Sequence, residues 1–413
     1  MTTLDRVFPG QPDPTPVFSA PNPAPVRVPV TPLDFPRWPQ YGQQERRGLM
    51  QVLDQDGWWR MGGHQVDRFE QEFADHHGAP RALTTNSGTA ALELALSVLG
   101  VGPGSEVILP AFTFISCSMA VQRLGGVPVP VDVDPKTYCL DIDAAAAAIT
   151  PNTRVIMPVH LAGQLVDMDA LQALADASGV AILQDAAHAH GARWKGRRVG
   201  EFGSIAAFSF QNGKLMTAGE GGALLFPDEE SYQEAYLRHS CGRPAGDRDY
   251  KHLTAGSNNR LSEFHGAVLR GQLSRLEAQI QLRQQGWARL RPTLAAIPGV
   301  EPQETDSRVD YNSLYMAMIR VPGIIAATRR TVVDELNRQG VPAFVAFPPV
   351  YRTDSYWEGP TGEQTPATLV ANCPVSEQIG QDCIWFHHRT LLAAEPVLDR
   401  MAEVVAEALA GRG

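Results

Sequence analysis

Between residues 106 and 226 the chain alternates short apolar runs with longer segments of helical periodicity. The runs fall at 106–110, 127–133, 155–159, 180–184, 205–210 and 223–226, and they lack the polar face of a half-exposed strand. Strands of this kind, alternating with helices, predict a mostly parallel sheet covered on both faces. Upstream, 66–77 (VDRFEQEFADHH) places Val66, Phe69 and Phe73 on one helical face, and a helical pattern begins at Trp38. A long helical segment over 262–290 is followed by a strand at 315–321, a helix at 328–339 and a last helix at 396–409. The expected fold is α/β: a large, mostly parallel domain over 37–290 and a small α+β domain over 291–413. Residues 1–36 differ, because prolines alternate there with small and polar residues from Pro9 to Pro32, a pattern for an extended arm that packs no core.

Length supports the division, since 413 residues exceed what one compact core holds. At 44% hydrophobic and 19% charged, with no apolar run long enough to span a bilayer, the chain reads as a globular enzyme rather than a membrane protein. The opening MTTLDRVFPGQPDP lacks a basic start followed by an apolar stretch, so the expected location is the cytoplasm. Lys and Arg total 35 against 45 for Asp and Glu, a net charge of −10 that argues against a nucleic-acid partner. Small molecules and further copies of the chain are the expected partners. Cys117, Cys139, Cys241, Cys373 and Cys383 form no CxxC pair and no Cys/His ligand spacing, so they predict reduced thiols and no metal site.

The chemistry concentrates where apolar runs end. In AFSFQNGKLMTAGEGG (207–222) a strand runs into a glycine-bracketed turn holding Lys214. A surface lysine needs no such setting, whereas a lysine that forms a Schiff base needs a fixed position. In VAILQDAAHAHGA (180–192), Asp185 falls at the C-terminal end of a buried strand, where open parallel sheets place ligands. It is either a turn cap or the partner of a protonated pyridine nitrogen. His188 and His190 follow it, and His188 is placed to hydrogen-bond a phenolic oxygen. In TTNSGTAAL (84–92) a Ser-Gly-Thr turn opens an apolar helix, so Ser87 caps the helix or the turn's N–H groups receive a phosphate. Ser209 would add a hydroxyl to that phosphate, and Phe114 in PAFTFIS (110–116) either lies against a flat ring or is a core residue. A phosphate turn, a stacking ring, a pyridine carboxylate and a Schiff-base lysine are together what pyridoxal 5′-phosphate (PLP) demands.

With these residues in place, the chain resembles the DegT/DnrJ/EryC1/StrS family of sugar and cyclitol aminotransferases, through SGT, PAFTF, PVHLAGQLVDMDAL, QDAAHAHGA, FSFQNGK, GEGGA and GSNNRLSEF. The resemblance implies fold-type I, the aspartate aminotransferase-like architecture of PLP enzymes. It implies Lys214 as covalent cofactor anchor and proton carrier, Asp185 at the pyridine nitrogen, His188 at the phenolic oxygen and Phe114 against the ring. Gly88, Thr89 and Ser209 match the family's phosphate positions. Asn258 in GSNNR matches an asparagine that the neighbouring subunit supplies to the phosphate, which implies a homodimer with shared sites. Gln184 departs from the Glu-Asp-Ala-Ala pattern common in the wider family.

FPRWPQY, GWWRMGG, LRHSCGRP, NSLYMAM and YRTDSYW are closer to one branch, which dehydrates and aromatises 5-amino-5-deoxy-3-dehydroshikimate in ansamycin- and mitomycin-type antibiotic biosynthesis. The resemblance leaves two alternatives open: an aminotransferase acting on a keto-sugar or keto-cyclitol, and a non-catalytic partner subunit, against which the retained lysine speaks. A carboxylated ring substrate calls for an arginine fork, with Arg60, Arg352 and Arg389 as candidates and Trp59 and Tyr351 as possible pocket walls. Each also has a structural reading as an ion pair or core aromatic.

Overall fold

The computed structural model describes residues 33–411, so the proline-rich arm expected over 1–36 lies, up to residue 32, outside the described residues. Helix α1 (Gln43–Leu53) begins five residues after Trp38. Pro39 supplies no N–H and biases the residue before it toward extended backbone, so the helical pattern at Trp38 does not become a helix until Gly42. Next come α2 (Gln65–His77), with Val66, Phe69 and Phe73 fully buried, β1 (Arg81–Thr85) and α3 (Gly88–Val98). The chain continues through β2 (Glu106–Pro110), α4 (Ser116–Arg123), β3 (Val127–Val131), α5 (Ile142–Ala147), β4 (Thr153–Ile156), α6 (Met168–Ser178) and β5 (Ala181–Asp185). A short hairpin of β6 (Arg193–Trp194) and β7 (Arg197–Arg198) precedes β8 (Ile205–Ser209), β9 (Gly222–Phe226) and α7 (Glu229–His239).

Seven strands form one sheet in the order β1-β9-β8-β5-β4-β2-β3. Only β9 runs against the rest, pairing antiparallel with β1 and with β8. All five residues of β8 and of β9 are buried, as the unbroken apolar runs require of strands covered on both faces. Strand β1 was hidden in the sequence because its last residues merge with the polar turn that opens α3.

Helix α8 (Glu263–Ala295) links this core to a second one. Its Leu269, Leu276 and Ile280 pack in the first core, and Trp287, Leu290 and Leu294 in the second. The second core lies under a four-stranded antiparallel sheet, β10 (Glu301–Pro302), β11 (Met316–Arg320), β12 (Ala343–Val345) and β13 (Cys383–His387), in the order β10-β11-β13-β12. Helices α9 (Ala326–Arg338), α10 (Pro366–Asn372), α11 (Pro374–Asp382) and α12 (Glu395–Ala410) complete the chain. Strand β11 serves both cores by alternation: Met316 and Met318 face the first, Ala317 and Ile319 the second. No helix among the described residues is long and apolar enough to cross a membrane.

Candidate active site

Because β1, β2, β5 and β8 run the same way, their C-terminal ends meet along one edge of the sheet, and a cavity of about 360 Å³ opens there. Gly88, Thr89 and Ser209 line one part of it; Phe114, Asp185, His188 and Lys214 line the rest. Residues separated by 126 positions in the chain, from Gly88 to Lys214, are thus gathered by strand topology alone.

Asp185 ends β5 with its backbone fixed: its N–H donates to Pro158 O at 2.9 Å and its carbonyl accepts from His160 N–H at 3.0 Å. The side chain is buried, accepting from the Ala187 N–H on Oδ1 (3.0 Å) and from the Cys117 thiol on Oδ2 (3.1 Å). Burial raises the carboxyl above its usual range, while the two donors and the charge of Lys214 work the other way. A buried carboxylate with so few donors gains most from a cationic N–H partner.

His188 stacks on Tyr315 with ring centroids 4.2 Å apart. Burial first, and the neighbouring Lys214 charge second, hold its imidazole well below the usual range, so the ring is neutral. Its Nδ1 accepts from the Ala162 N–H at 3.4 Å, which leaves the proton on Nε2 for donation. Lys214 is set by a tight turn in which its N–H donates to Gln211 O at 2.8 Å, and its Nζ lies 4.6 Å from the centre of the Tyr315 ring.

At the α3 end of the cavity the Ser-Gly-Thr turn caps the helix and leaves backbone N–H groups free. Ser87 Oγ caps α3 by accepting from Ala90 N–H at 3.1 Å, while Gly88 and Thr89 begin the helix with N–H groups that have no intrahelical acceptor. Gly88 is required by close approach: a Cβ there would lie 2.7 Å from Ser209 Cβ. The glycine lets helix and strand converge on one small polar corner.

A family model described as the DegT/DnrJ/EryC1/StrS aminotransferase family matches residues 40–406. The chain belongs to that family. The 3-amino-5-hydroxybenzoate synthase of Amycolatopsis mediterranei (strain S699) is 59% identical over 379 residues, covering 91% of this chain and 98% of that protein. The crystal structure of 3-amino-5-hydroxybenzoic acid (AHBA) synthase matches with a TM-score of 0.91 at 58% identity, covering 92% of this chain and 100% of that one. The PLP form of Spr1654 from Streptococcus pneumoniae, assigned as a sugar aminotransferase, matches with a TM-score of 0.79 at 26% identity, covering 92% of this chain and 99% of that one. This DegT/DnrJ/EryC1/StrS protein therefore has the fold-type I architecture and is an enzyme of the family.

Its departure from the wider family at Gln184 has a local explanation. Side chains alternate along β5, so Gln184 faces away from Asp185 and bridges His160 (2.9 Å), Val199 O (3.2 Å) and Ser204 Oγ (2.9 Å). An amide suits that position because it accepts on one side and donates on the other. Asn258, the residue matched to a neighbouring subunit's contact, is exposed and outside its own chain's cavity.

The structure does not bring the five expected substrate contacts to this chain's cavity. Arg60 is buried in a bidentate pair with Glu70, also reaching Thr84. Arg352 is held bidentate by Glu377, with Nε and Nη2 each 2.9 Å from a carboxylate oxygen. Arg389 donates to Pro36 O at 3.3 Å, Tyr351 is buried in the first core and Trp59 is half-exposed beside Arg260. None of the five lines this chain's cavity. Tyr315, Phe347 and Trp385 line it instead, together with Glu220. The only sequence signal for Tyr315 was its place in NSLYMAM; Phe347 and Trp385 gave none, since aromatic residues near strand ends read as core.

Proposed function

We propose that the cavity holds PLP through Lys214 and that the enzyme dehydrates and aromatises 5-amino-5-deoxy-3-dehydroshikimate to 3-amino-5-hydroxybenzoate, a step of ansamycin- or mitomycin-type biosynthesis. The 59% identity to a 3-amino-5-hydroxybenzoate synthase, over nearly the full length of both chains, carries the substrate reading. The cofactor reading is supported by fit: a corner at Gly88 and Ser209 that admits no further Cβ, a buried Asp185 short of donors, and a Phe114 ring left 56% exposed at the cavity.

When bound, PLP supplies an electron sink through its protonated ring. Asp185 is placed to keep the ring nitrogen protonated, and His188 Nε2–H to donate to the phenolic oxygen. The N–H groups of Gly88 and Thr89, with the Ser209 hydroxyl, are suited to the phosphate. Lys214 Nζ is the group that would take the proton from the amine-bearing carbon of the substrate. Water then leaves the ring and loss of a second ring proton gives the aromatic product, with no oxidant consumed. Asn258 from a second copy completes the phosphate site, so the working unit in this proposal is a homodimer.

The test is to mix the purified protein with the aminodehydroshikimate in the absence of any amino donor and follow the ultraviolet absorbance of the product. Catalytic aromatisation supports the reading. Turnover only with a keto-cyclitol or keto-sugar and an amino donor would replace it with the transamination that gives the family its name.

A further inference from the structure

Arg283 is fully buried on α8, and burial pulls its guanidinium down to about 9. Among the described residues no carboxylate pairs with it. A buried guanidinium without an acid is costly, and its position next to the lysine turn gives that cost a use. Its Nε and Nη2 lie 3.3 and 3.1 Å from His388 Nδ1. A guanidinium only donates, so His388 Nδ1 must be the bare, accepting nitrogen. The imidazole proton is then on Nε2, which lies 3.1 Å from the carbonyl oxygen of Gly213, the residue before Lys214. Trp38 holds the preceding carbonyl, its Nε1–H donating to Asn212 O at 3.1 Å. The indole meets the His388 ring edge-on at 4.5 Å, and the Arg283 guanidinium lies 5.2 Å from the indole centre.

Two consecutive carbonyls of a turn containing Gly213 are therefore fixed by donors from opposite ends of the chain. The His388 ring also lies 5.9 Å from Tyr315, the ring that stacks on His188 and lies beside Lys214 Nζ. We propose that Arg283, His388 and Trp38 form a brace that positions the Lys214 turn, with Arg283 locking His388 in the one tautomer that can donate to Gly213. A neutral side chain able to both donate and accept at position 283 would leave that tautomer free. These are positioning residues, since none of the three lines the cavity.

The proposal rests on Lys214 being the cofactor lysine, and its test separates the two ideas. Full-length protein freed of cofactor is compared with Trp38→Phe, His388→Phe and His388→Gln by two measurements: amide hydrogen exchange over residues 211–218, and the rate at which added PLP is taken up, read by absorbance. Loss of either donor is expected to speed exchange in that segment, and slow uptake, by about fivefold or more. His388→Gln, which keeps an N–H donor, is expected to restore most of both, an outcome that mere loss of ring packing would not give. Trp38 is only partly buried, so its variant keeps the test open if His388→Phe does not fold. Unchanged exchange in the variants overturns the brace. Faster exchange with wild-type uptake overturns the positioning role. Wild-type protein that takes up no PLP overturns the cofactor reading instead, and exchange still decides the brace.

Discussion

The Cys117 thiol donates to Asp185 Oδ2 at 3.1 Å, from the first turn of α4 to the end of β5. Burial, with Asp185 beside it, pushes the thiol well above its usual range, so it remains a protonated donor. Cys117→Ala removes one of the two hydrogen-bond donors that, with the Lys214 charge, oppose Asp185's burial, raising the carboxyl further and weakening the charged form that PLP would require. PLP affinity, measured by absorbance titration, is expected to fall about fivefold, and Cys117→Ser to recover it. Equal affinity in Cys117→Ala and wild type would remove the thiol from the site.

Lys214→Ala is expected to abolish turnover while shifting the melting temperature by only a few degrees, because the side chain is half-buried and acts chemically. Asp185→Asn is expected to keep PLP bound but slow the reaction at least about a hundredfold, since an amide cannot hold the ring nitrogen protonated. Wild-type rates in either variant, measured by product absorbance, would sink the corresponding role.

What could be read from the sequence followed from residue types that are costly where they stand. A lysine between glycines at the end of an apolar run, an aspartate ending another, and a small-residue turn opening a helix have few purely structural uses, and the cavity gathers all three. The remainder was hidden for physical reasons. Tyr315, just ahead of β11, and Trp385, in β13, lie more than a hundred positions beyond Asp185, and nothing in local periodicity shows that β11 and β13 face the first core. Cys117 read only as a reduced thiol; the structure buries it, and the 3.1 Å contact shows its place beside Asp185. For Arg60 the sequence left the ion-pair and substrate readings open because it cannot say which acid lies opposite a buried arginine, and the structure places Glu70 there.

Gly88→Ala should damage the site more than its size suggests. The new Cβ would lie 2.7 Å from Ser209 Cβ and 3.2 Å from its Cα, so helix α3 or strand β8 must move. Overpacking of this kind costs about 1–3 kcal/mol, and the displaced groups are the ones assigned to the phosphate. The expected result is a PLP affinity lowered at least about tenfold with the fold retained, while Ser209→Ala, which creates no clash, has a smaller effect. A Gly88→Ala protein with wild-type affinity would move the phosphate elsewhere.

Arg60 provides the contrast between a structural and a substrate arginine. Its side chain and that of Glu70 are only 5% and 7% exposed, so Arg60→Met strands a buried carboxylate. Breaking such a pair from one side costs about 3–5 kcal/mol. Chemical denaturation should show that loss, while KM for the ring substrate in the surviving folded enzyme stays near wild type. A KM raised severalfold with unchanged stability would restore Arg60 to the substrate site.

Acid should destabilise the protein well before its carboxylates titrate. Burial pulls His160 down to about 4 and His239 to about 3, against about 6.5 in an unfolded chain. In that window the unfolded state binds protons that the folded state refuses, so stability rises with pH. The contribution is complete above pH 6.5, falls as pH drops below it, and is exhausted only as pH passes through the folded values near 4 and 3. At pH 5.5 each of these histidines costs about 1.4 kcal/mol relative to pH 7.5. His76 and His387, each drawn to about 4, act in the same direction. Glu45, held near 2 as it pairs with Arg275, loses stability only below the ordinary glutamate range, and Asp185, raised by burial, opposes the trend. The melting temperature should therefore be flat from pH 8 to 7 and several degrees lower at pH 5.5. His160→Gln should reduce that drop, since an amide cannot take the proton; an unchanged melting temperature down to pH 5.5 would show that these rings reach water or a carboxylate in the folded state.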